Sequence, residues 1–337
     1  MTMTPKERFL KRMKGESVDK IPNFNIVMEW AAKYVNQPMD KFCSDYRVLV
    51  DGNIKTAEDF GIDILNTMSD PTRETADYGA DIVWKDDKIP LPNDHNPFIQ
   101  TAADVKKLKP INIYDSVRML DRLRAVELYK KEMGDKYPIM GWVEGTVAEA
   151  GDLMGLTSLL MTFYDDPAMI REMMDIHLES AKACIKAQVD AGADIIGVGD
   201  AACSIIGPDL YREFGLPYEK QIFAYIKECG AFGRLHICGN TEPILDDIAQ
   251  CGADIVDVDW MVDFKLANEK LVNMSACGNF DPVSVILQGT PDSIANEAQK
   301  CVDAGNNLSI IMAGCEIPPN TSKENLLAVH TQLLKAN

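Results

Sequence analysis

No stretch of this 337-residue sequence approaches the roughly 20 consecutive apolar residues that a membrane span needs. The first residues, MTMTPKERFLKRMKGE, lack the apolar core of a secretory signal, so a cytoplasmic protein is expected. Basic residues are outnumbered, 34 Lys and Arg against 52 Asp and Glu, for a formal net charge of −18. With no basic stripe, neither nucleic acid nor an anionic membrane is an expected partner, since both bind through clustered cations. No Gly-x-Gly-x-x-Gly follows an early apolar run, so a dinucleotide fold would lack its phosphate loop. No low-complexity linker divides the chain, and residues 1–337 read as one domain. Histidine is scarce, with four in the chain. The nine cysteines are odd in number, scattered, and without a secretory context, which argues against a disulfide framework and for reduced thiols.

What is present is a repeated alternation. Apolar strand-like runs occur at IPNFNIV (21–27), GIDILNTM (61–68), YPIMGWV (137–143), ADIIGVG (193–199), RLHICG (234–239), ADIVDVD (253–259), LVNMSACG (271–278) and LSIIMAG (308–314). Between many of them lie stretches with apolar spacing near 3.6, such as PAMIREMMDIHLESAKACIKAQVDAG. The stretch TPDSIANEAQKCVDAG carries a start signal in Thr290 and Pro291 and a stop at Gly305. Helix, then AGAD or CGAD, then a continuous apolar strand is the pattern of parallel β/α units buried on both faces. Eight such strands predict an α/β fold of the closed (β/α)₈ TIM-barrel type. Residues 68–136 are less regular and predict a small hairpin excursion in the N-terminal half, followed by a helical segment from Ala102 to Met133.

His236, Cys238 and Cys315 stand out chemically. The first two form a His-x-Cys pair in RLHICGNTEP and the third lies far along the chain in IIMAGCEIPP, each at the end of an apolar run that meets a glycine-bearing turn. One imidazole and two thiolates suit zinc, and three protein ligands leave a fourth tetrahedral position open, as catalytic rather than structural sites do. The competing reading is a satisfied core histidine with two small buried hydrophobes.

In such a barrel the active site is built at the C-terminal strand ends. The polar residues that follow each run are therefore the candidates: Glu144, Asp200, His236, Cys238, Asp257, Asp259, Asn279, Asp281, Cys315 and Glu316. Glu144, Asp200 and Glu316 are the acids expected to act in catalysis, with Asp257 and Asp259 as further partners for the ligands. Trp142 and Tyr211 are candidates for lining a cofactor pocket, with Asn279 beside them, although Asn240 and Asn279 next to glycines also fit turn-shaping. Of the other cysteines, Cys203 and Cys277 lie near strand ends and could reach the mouth, Cys277 foremost.

The segments PKERFLKRMKGESVDKIP, IGPDLYREFGLPYEK, LHICGNTEPILDD, GNFDPVSVI and GCEIPPNTSKENLLAV together resemble the uroporphyrinogen decarboxylase superfamily over nearly the whole chain. Within it the sequence is most similar to the zinc-dependent methyltransferases that move a methyl group from a corrinoid protein to a thiol, typified by methylcobamide:coenzyme M methyltransferases. Their His-x-Cys with a distant Cys maps onto His236, Cys238 and Cys315. The resemblance implies Zn²⁺, methylcobalamin borne by a corrinoid-binding protein as methyl donor, and a small thiol acceptor such as coenzyme M or a homocysteine-type thiol. No Arg or Lys for a sulfonate is identifiable from motif position, and the sequence sets no oligomeric state. The resemblance also implies an alternative, porphyrinogen decarboxylation. Against it, the arginine-rich Arg-Gln-Ala-Gly-Arg segment of the true decarboxylases is replaced by NIVMEWAAKYV, and their Gly-His-Gly by Gly314-Cys315-Glu316. A non-catalytic corrinoid- or metal-binding barrel is a second alternative. Asp63, in GIDILNTMSD, falls near the aspartate that contacts pyrrole nitrogens in the decarboxylases; it reads here as a strand-end carboxylate bonded to loop amides, and no catalytic role is carried over.

Overall fold

A computed structural model describes residues 2–85 and 88–335. Seven parallel strands form one curved sheet: β1 (Leu65–Asn66), β4 (Ile139–Glu144), β5 (Ile195–Gly199), β6 (Phe232–His236), β7 (Ile255–Asp257), β8 (Ser275–Phe280) and β9 (Ile310–Ala313), hydrogen-bonded in that order. The two remaining strands, β2 (Ile82–Val83) and β3 (Leu91–Pro92), make the expected antiparallel hairpin; the segment joining them includes residues 86 and 87, which lie outside the described residues. β4, β5 and β9 are buried at every position, as strands covered on both faces must be.

The eighth barrel position is filled by residues 22–26, which do not form a regular ladder. Asn23 bridges Ile311 on one side, with Phe24 N–H donating to Ile311 O at 3.3 Å, and on the other side Asp63 N–H donates to Asn23 O at 2.8 Å. The expected strand at 21–27 is thinned to this bridge for a local reason. Pro22 has no N–H to give, and the Asn25 side chain takes the Ala313 N–H at 2.8 Å where a backbone carbonyl would otherwise sit. The sheet therefore closes into the predicted TIM-type barrel through asparagine side chains as well as backbone.

Helices pack outside the sheet. Pro167–Asp190 is capped by Asp166, whose carboxylate accepts from Met169 N–H at 3.1 Å, and buries Ile170, Met173, Met174, His177, Ala181, Cys184 and Ile185. Each large apolar side chain buried this way contributes about 1.5–3 kcal/mol. Pro291–Ala304 begins at Thr290 and ends before Gly305, as the sequence indicates. The helical segment expected from Ala102 to Met133 is instead two helices, Ala102–Val105 and Arg118–Met133. Pro110 lies in the break; a residue before proline is driven from the helical region, and the Ile111 N–H is taken by Ser180 Oγ at 2.9 Å. Among the described residues, no helix is long and apolar enough to cross a membrane.

Candidate metal centre at the barrel mouth

His236 is the last residue of β6, and Cys238 lies two residues further on, before Gly239 at φ 90°, a conformation that suits glycine. Cys315 lies two residues past β9. The two strand ends bring His236 Nε2 to 2.9 Å from Cys238 Sγ, Cys238 Sγ to 3.5 Å from Cys315 Sγ, and Cys315 Sγ to 4.0 Å from His236 Nε2. These are the three side chains singled out from the sequence, and all three donor atoms lie within 4.8 Å of one another.

The ring is held from behind. β6 and β7 pair so that His236 faces Asp257, and His236 Nδ1 stands 2.7 Å from Asp257 Oδ2. The other carboxylate oxygen accepts from Arg234 Nε at 2.8 Å; Arg234 is fully buried, with Nη2 3.1 Å from Met312 Sδ and its guanidinium 5.6 Å from the Phe24 ring. Burial opposes charge on Asp257, but Arg234 and His236 outweigh it and lower its pKa. Burial likewise opposes charge on His236, and Cys238, Asp257 and Cys315 more than offset it, holding the imidazole well above its usual pKa. Cys315 is drawn down to about 4 by the hydrogen bond with Cys238, against burial and with help from His236. Cys238 is pushed up by that same bond. Proton and negative charge are thus shared within a trio already poised to hold thiolate.

Asp259 positions the loops. Its Oδ2 accepts from Gly239 N–H at 2.6 Å and its Oδ1 from Trp260 N–H at 2.7 Å, tying the turn after Cys238 to the turn after β7. A Cβ on Gly314 would lie 2.6 Å from Asp259 Oδ1, so the turn carrying Cys315 packs on this carboxylate only as glycine.

In front of the trio lies a cavity of about 220 Å³ lined by His236, Cys238, Cys315, Trp142, Glu144 and Glu316 together with Ile26, Met28, Met68, Ser69, Asp70, Pro71, Gly199 and Ala201. Trp142 Nε1–H donates to Glu144 Oε1 at 2.7 Å, and a Cβ on Gly199 would meet the Trp142 indole at 2.6 Å, so a glycine there makes room for the indole. Burial, then the nearby Glu74, raises Glu144 well above the usual carboxyl range. Glu316 accepts from Glu29 N–H at 2.8 Å and is pushed up to about 8 by burial.

Asp200, Tyr211 and Asn279 do not line this cavity. Asp200 is fully buried and accepts from Ala148 N–H at 2.7 Å, and its carboxylate lies within 4.8 Å of the Cys203 thiol and the Glu219 carboxylate. The Tyr211 hydroxyl donates to Glu219 at 2.5 Å. Asn279 Nδ2 donates to Val262 O at 2.6 Å and Asp259 O at 3.3 Å, which shapes the loop after β7. Cys277 is fully buried opposite Asp257 in the strand register and also stays out of the cavity.

Asp70 is the lining acid that the sequence reading passed over. Arg118 clamps it with Nη1 and Nη2 at 2.9 and 2.8 Å, and Ser69 and Thr72 hydroxyls add bonds at 2.6 and 2.8 Å. Burial would raise its pKa, but Arg118 and Arg73 hold it well below the usual range. Asp63 lies at the opposite, N-terminal end of the run GIDILNTM, paired with Arg8 at 2.7 Å and Lys20 at 2.8 Å. Active sites belong to the C-terminal strand ends, so the acid after the run was the better candidate.

The family model for uroporphyrinogen decarboxylase (URO-D) matches residues 4–333. A methylcobamide:CoM methyltransferase, MtbA, of Methanosarcina mazei is 28% identical over 329 residues, covering 96% of this chain and 95% of that protein. A uroporphyrinogen decarboxylase of Chlorobaculum tepidum is 30% identical over 318 residues, covering 88% of this chain and 87% of the relative. Among solved structures, a methyltransferase from Methanosarcina mazei superposes with a TM-score of 0.89 over 99% of both chains at 24% identity, which speaks to the fold.

Proposed function

The chain belongs to the uroporphyrinogen decarboxylase family, and from that premise we propose that it is an enzyme that transfers a methyl group from a methylated corrinoid protein to a thiol. The observation that carries the reading is the cluster of His236 Nε2 and the sulfurs of Cys238 and Cys315 at the cavity, with Asp257 on the far ring nitrogen. Nitrogen and sulfur donors in this number fit Zn²⁺ with one position left open. A carboxylate on the second ring nitrogen is the usual partner of a ligating histidine. Zinc held by these three residues would supply the Lewis acidity that keeps an incoming thiol deprotonated near neutral pH.

The residues do the rest. Asp257 accepts the hydrogen bond from Nδ1–H and so leaves Nε2 to face Cys238 and Cys315 as a metal donor. Asp259 fixes the two cysteine-bearing turns. Trp142, Ile26 and Met28 give the cavity an apolar wall that limits competing water. The methylated corrinoid, brought as substrate by its own protein, would supply the methyl group and keep the electron pair of the broken carbon–cobalt bond, while the acceptor sulfur would supply the pair of the new carbon–sulfur bond. The thiol proton leaves to solvent. Ala201, Trp260 and Met261 lie exposed on loops that follow β5 and β7, the face a protein-borne corrinoid must approach.

The decarboxylase alternative asks the cavity to hold a porphyrinogen bearing eight carboxylates. No lysine or arginine lines the cavity among the described residues, so those eight carboxylates would find no cationic partner there. The test is direct: metal analysis of the purified protein, then thiol-dependent demethylation of methylcobalamin. Stoichiometric zinc with methylcobalamin turnover is expected. Absence of zinc together with formation of coproporphyrinogen from uroporphyrinogen would overturn the reading.

A further inference from the structure

The lining of the cavity narrows the acceptor. Its polar side is made by Asp70, Glu144 and Glu316, and its apolar side by Ile26, Met28 and Trp142; no cationic side chain lines it among the described residues. Three arginines stand close to Asp70 and Glu144, and all three are already paired with carboxylates. Arg118 is bound to Asp70, Arg73 to Asp121, and Arg122 to Glu74, and none of the three lines the cavity. Lys33 and Lys88 line a different cavity, with Glu29. Two thiolate ligands already cancel the charge of a divalent ion, so a bound acceptor thiolate leaves the mouth net negative. A second negative charge on the acceptor's tail would sit beside that thiolate with no cationic side chain lining the cavity to offset it among the described residues, in a small and largely apolar space where like charges repel strongly.

A tail that donates hydrogen bonds meets the opposite situation. Glu144 spends one oxygen on the Trp142 indole N–H and Glu316 spends one on the Glu29 N–H. Among the described residues the second oxygen of each has no protein donor, and it is available to a hydroxyl or an ammonium group of a molecule small enough for about 220 Å³.

Resting on the methyl-transfer reading, we propose that the acceptor is a small thiol whose tail carries no negative charge, hydroxyl- or ammonium-bearing rather than sulfonate- or carboxylate-bearing, and that Glu144 and Glu316 select it. This sets the chain apart from relatives whose names carry coenzyme M, a thiol with a sulfonate tail.

Three thiols built on the same two-carbon backbone isolate the charge: 2-mercaptoethanol, 2-aminoethanethiol and 2-mercaptoethanesulfonate. The full-length protein is loaded with Co(II) in place of zinc, and each thiol is titrated against the sulfur-to-cobalt absorption. The neutral and ammonium thiols are expected to bind at least tenfold more tightly than the sulfonate. Replacing Ala201, an exposed residue of the lining, in an Ala201→Lys variant is expected to narrow that gap severalfold. Equal or tighter binding of the sulfonate to the unaltered protein would overturn the proposed acceptor class while leaving methyl transfer to a thiol standing. A gap unmoved by Ala201→Lys, with thiol binding intact, would show that charge does not set the preference and would also overturn it. If no thiol perturbs the Co(II) spectrum, the methyl-transfer reading itself fails, and the acceptor proposal with it.

Discussion

Asp257 holds His236 by its Nδ1 at 2.7 Å while its second oxygen grips the fully buried Arg234 at 2.8 Å, so one carboxylate both aims the imidazole and neutralises a buried guanidinium. Replacing it by asparagine preserves shape and removes charge. For Asp257→Asn, zinc affinity measured by chelator competition is expected to fall about 10- to 100-fold, the usual cost of losing such a partner. Thermal stability should fall as well, because Arg234 then keeps its charge in the interior without a counter-ion. Unchanged zinc affinity in a folded variant would show that the ring is oriented without this bond.

Removing either sulfur is a separate test. Cys238 and Cys315 are only partly buried at the mouth, so Cys238→Ser and Cys315→Ala are expected to leave the unfolding transition within about 1 kcal/mol of the metal-free parent. Metal content should drop below stoichiometric, and thiol-dependent demethylation of methylcobalamin should fall at least a hundredfold. Extracting the metal from the parent protein with a chelator should give the same loss, restored on adding Zn²⁺.

The cavity wall offers a test that spares the donors. A Cβ at position 199 would lie 2.6 Å from the Trp142 indole and 2.8 Å from Glu144 Oε2. Gly199→Ala is therefore expected to displace both side chains, costing about 1–3 kcal/mol in urea unfolding as overpacking does. KM for the thiol should rise severalfold with zinc still bound. A normal KM would mean that the indole and Glu144 do not touch the acceptor.

The trio was legible because strand ends, residue type and turn glycines coincide in RLHICG and IIMAGC, and because a family motif falls on the same residues. Asp200 was not, for a reason rooted in strand geometry. Side chains alternate faces along a strand, and β5 pairs with β4 so that Gly199 stands beside Glu144 on the cavity face. Asp200 is then sent the other way, to Ala148 and Glu219 among the helices. An apolar run covered on both faces gives no hint of that parity. Asp63 and Asp70 illustrate a related difficulty: both sit in GIDILNTMSD, yet the strand between them is two residues long, and only the direction of the chain through the sheet says which end is the mouth.

Asp63 is accordingly expected to matter for stability and not for chemistry. It is 2% exposed, pairs with Arg8 and Lys20, and accepts the Asn23 N–H beside the seam that closes the barrel. Asp63→Ala strands Lys20 in a buried position while Arg8 keeps Asp19. Urea unfolding should reveal a loss of about 3–5 kcal/mol, with zinc content and turnover per folded molecule unchanged. A selective loss of turnover would instead tie this end of the barrel to the mouth.

The buried acids behind the wall lead to a pH prediction. Glu219 is pushed up to about 8 by burial and then by Asp200, and one of its oxygens has no partner among the described residues. An unfolded glutamate ionises near 4.3, so between that pH and about 8 the folded protein retains a proton that the unfolded chain has released. Folding is then progressively disfavoured as pH rises through this window, with the full benefit of the protonated form present only below it. Glu219→Gln cannot lose that proton and keeps an acceptor for the Tyr211 hydroxyl. Urea midpoints of the parent and variant, measured from pH 5 to pH 8.5 on equally zinc-loaded protein, should therefore diverge, the parent weakening more steeply as pH rises. Parallel curves would show that Glu219 is already ionised in the folded protein at pH 5, which would in turn require a counter-charge for it among the groups around Asp200 and Cys203.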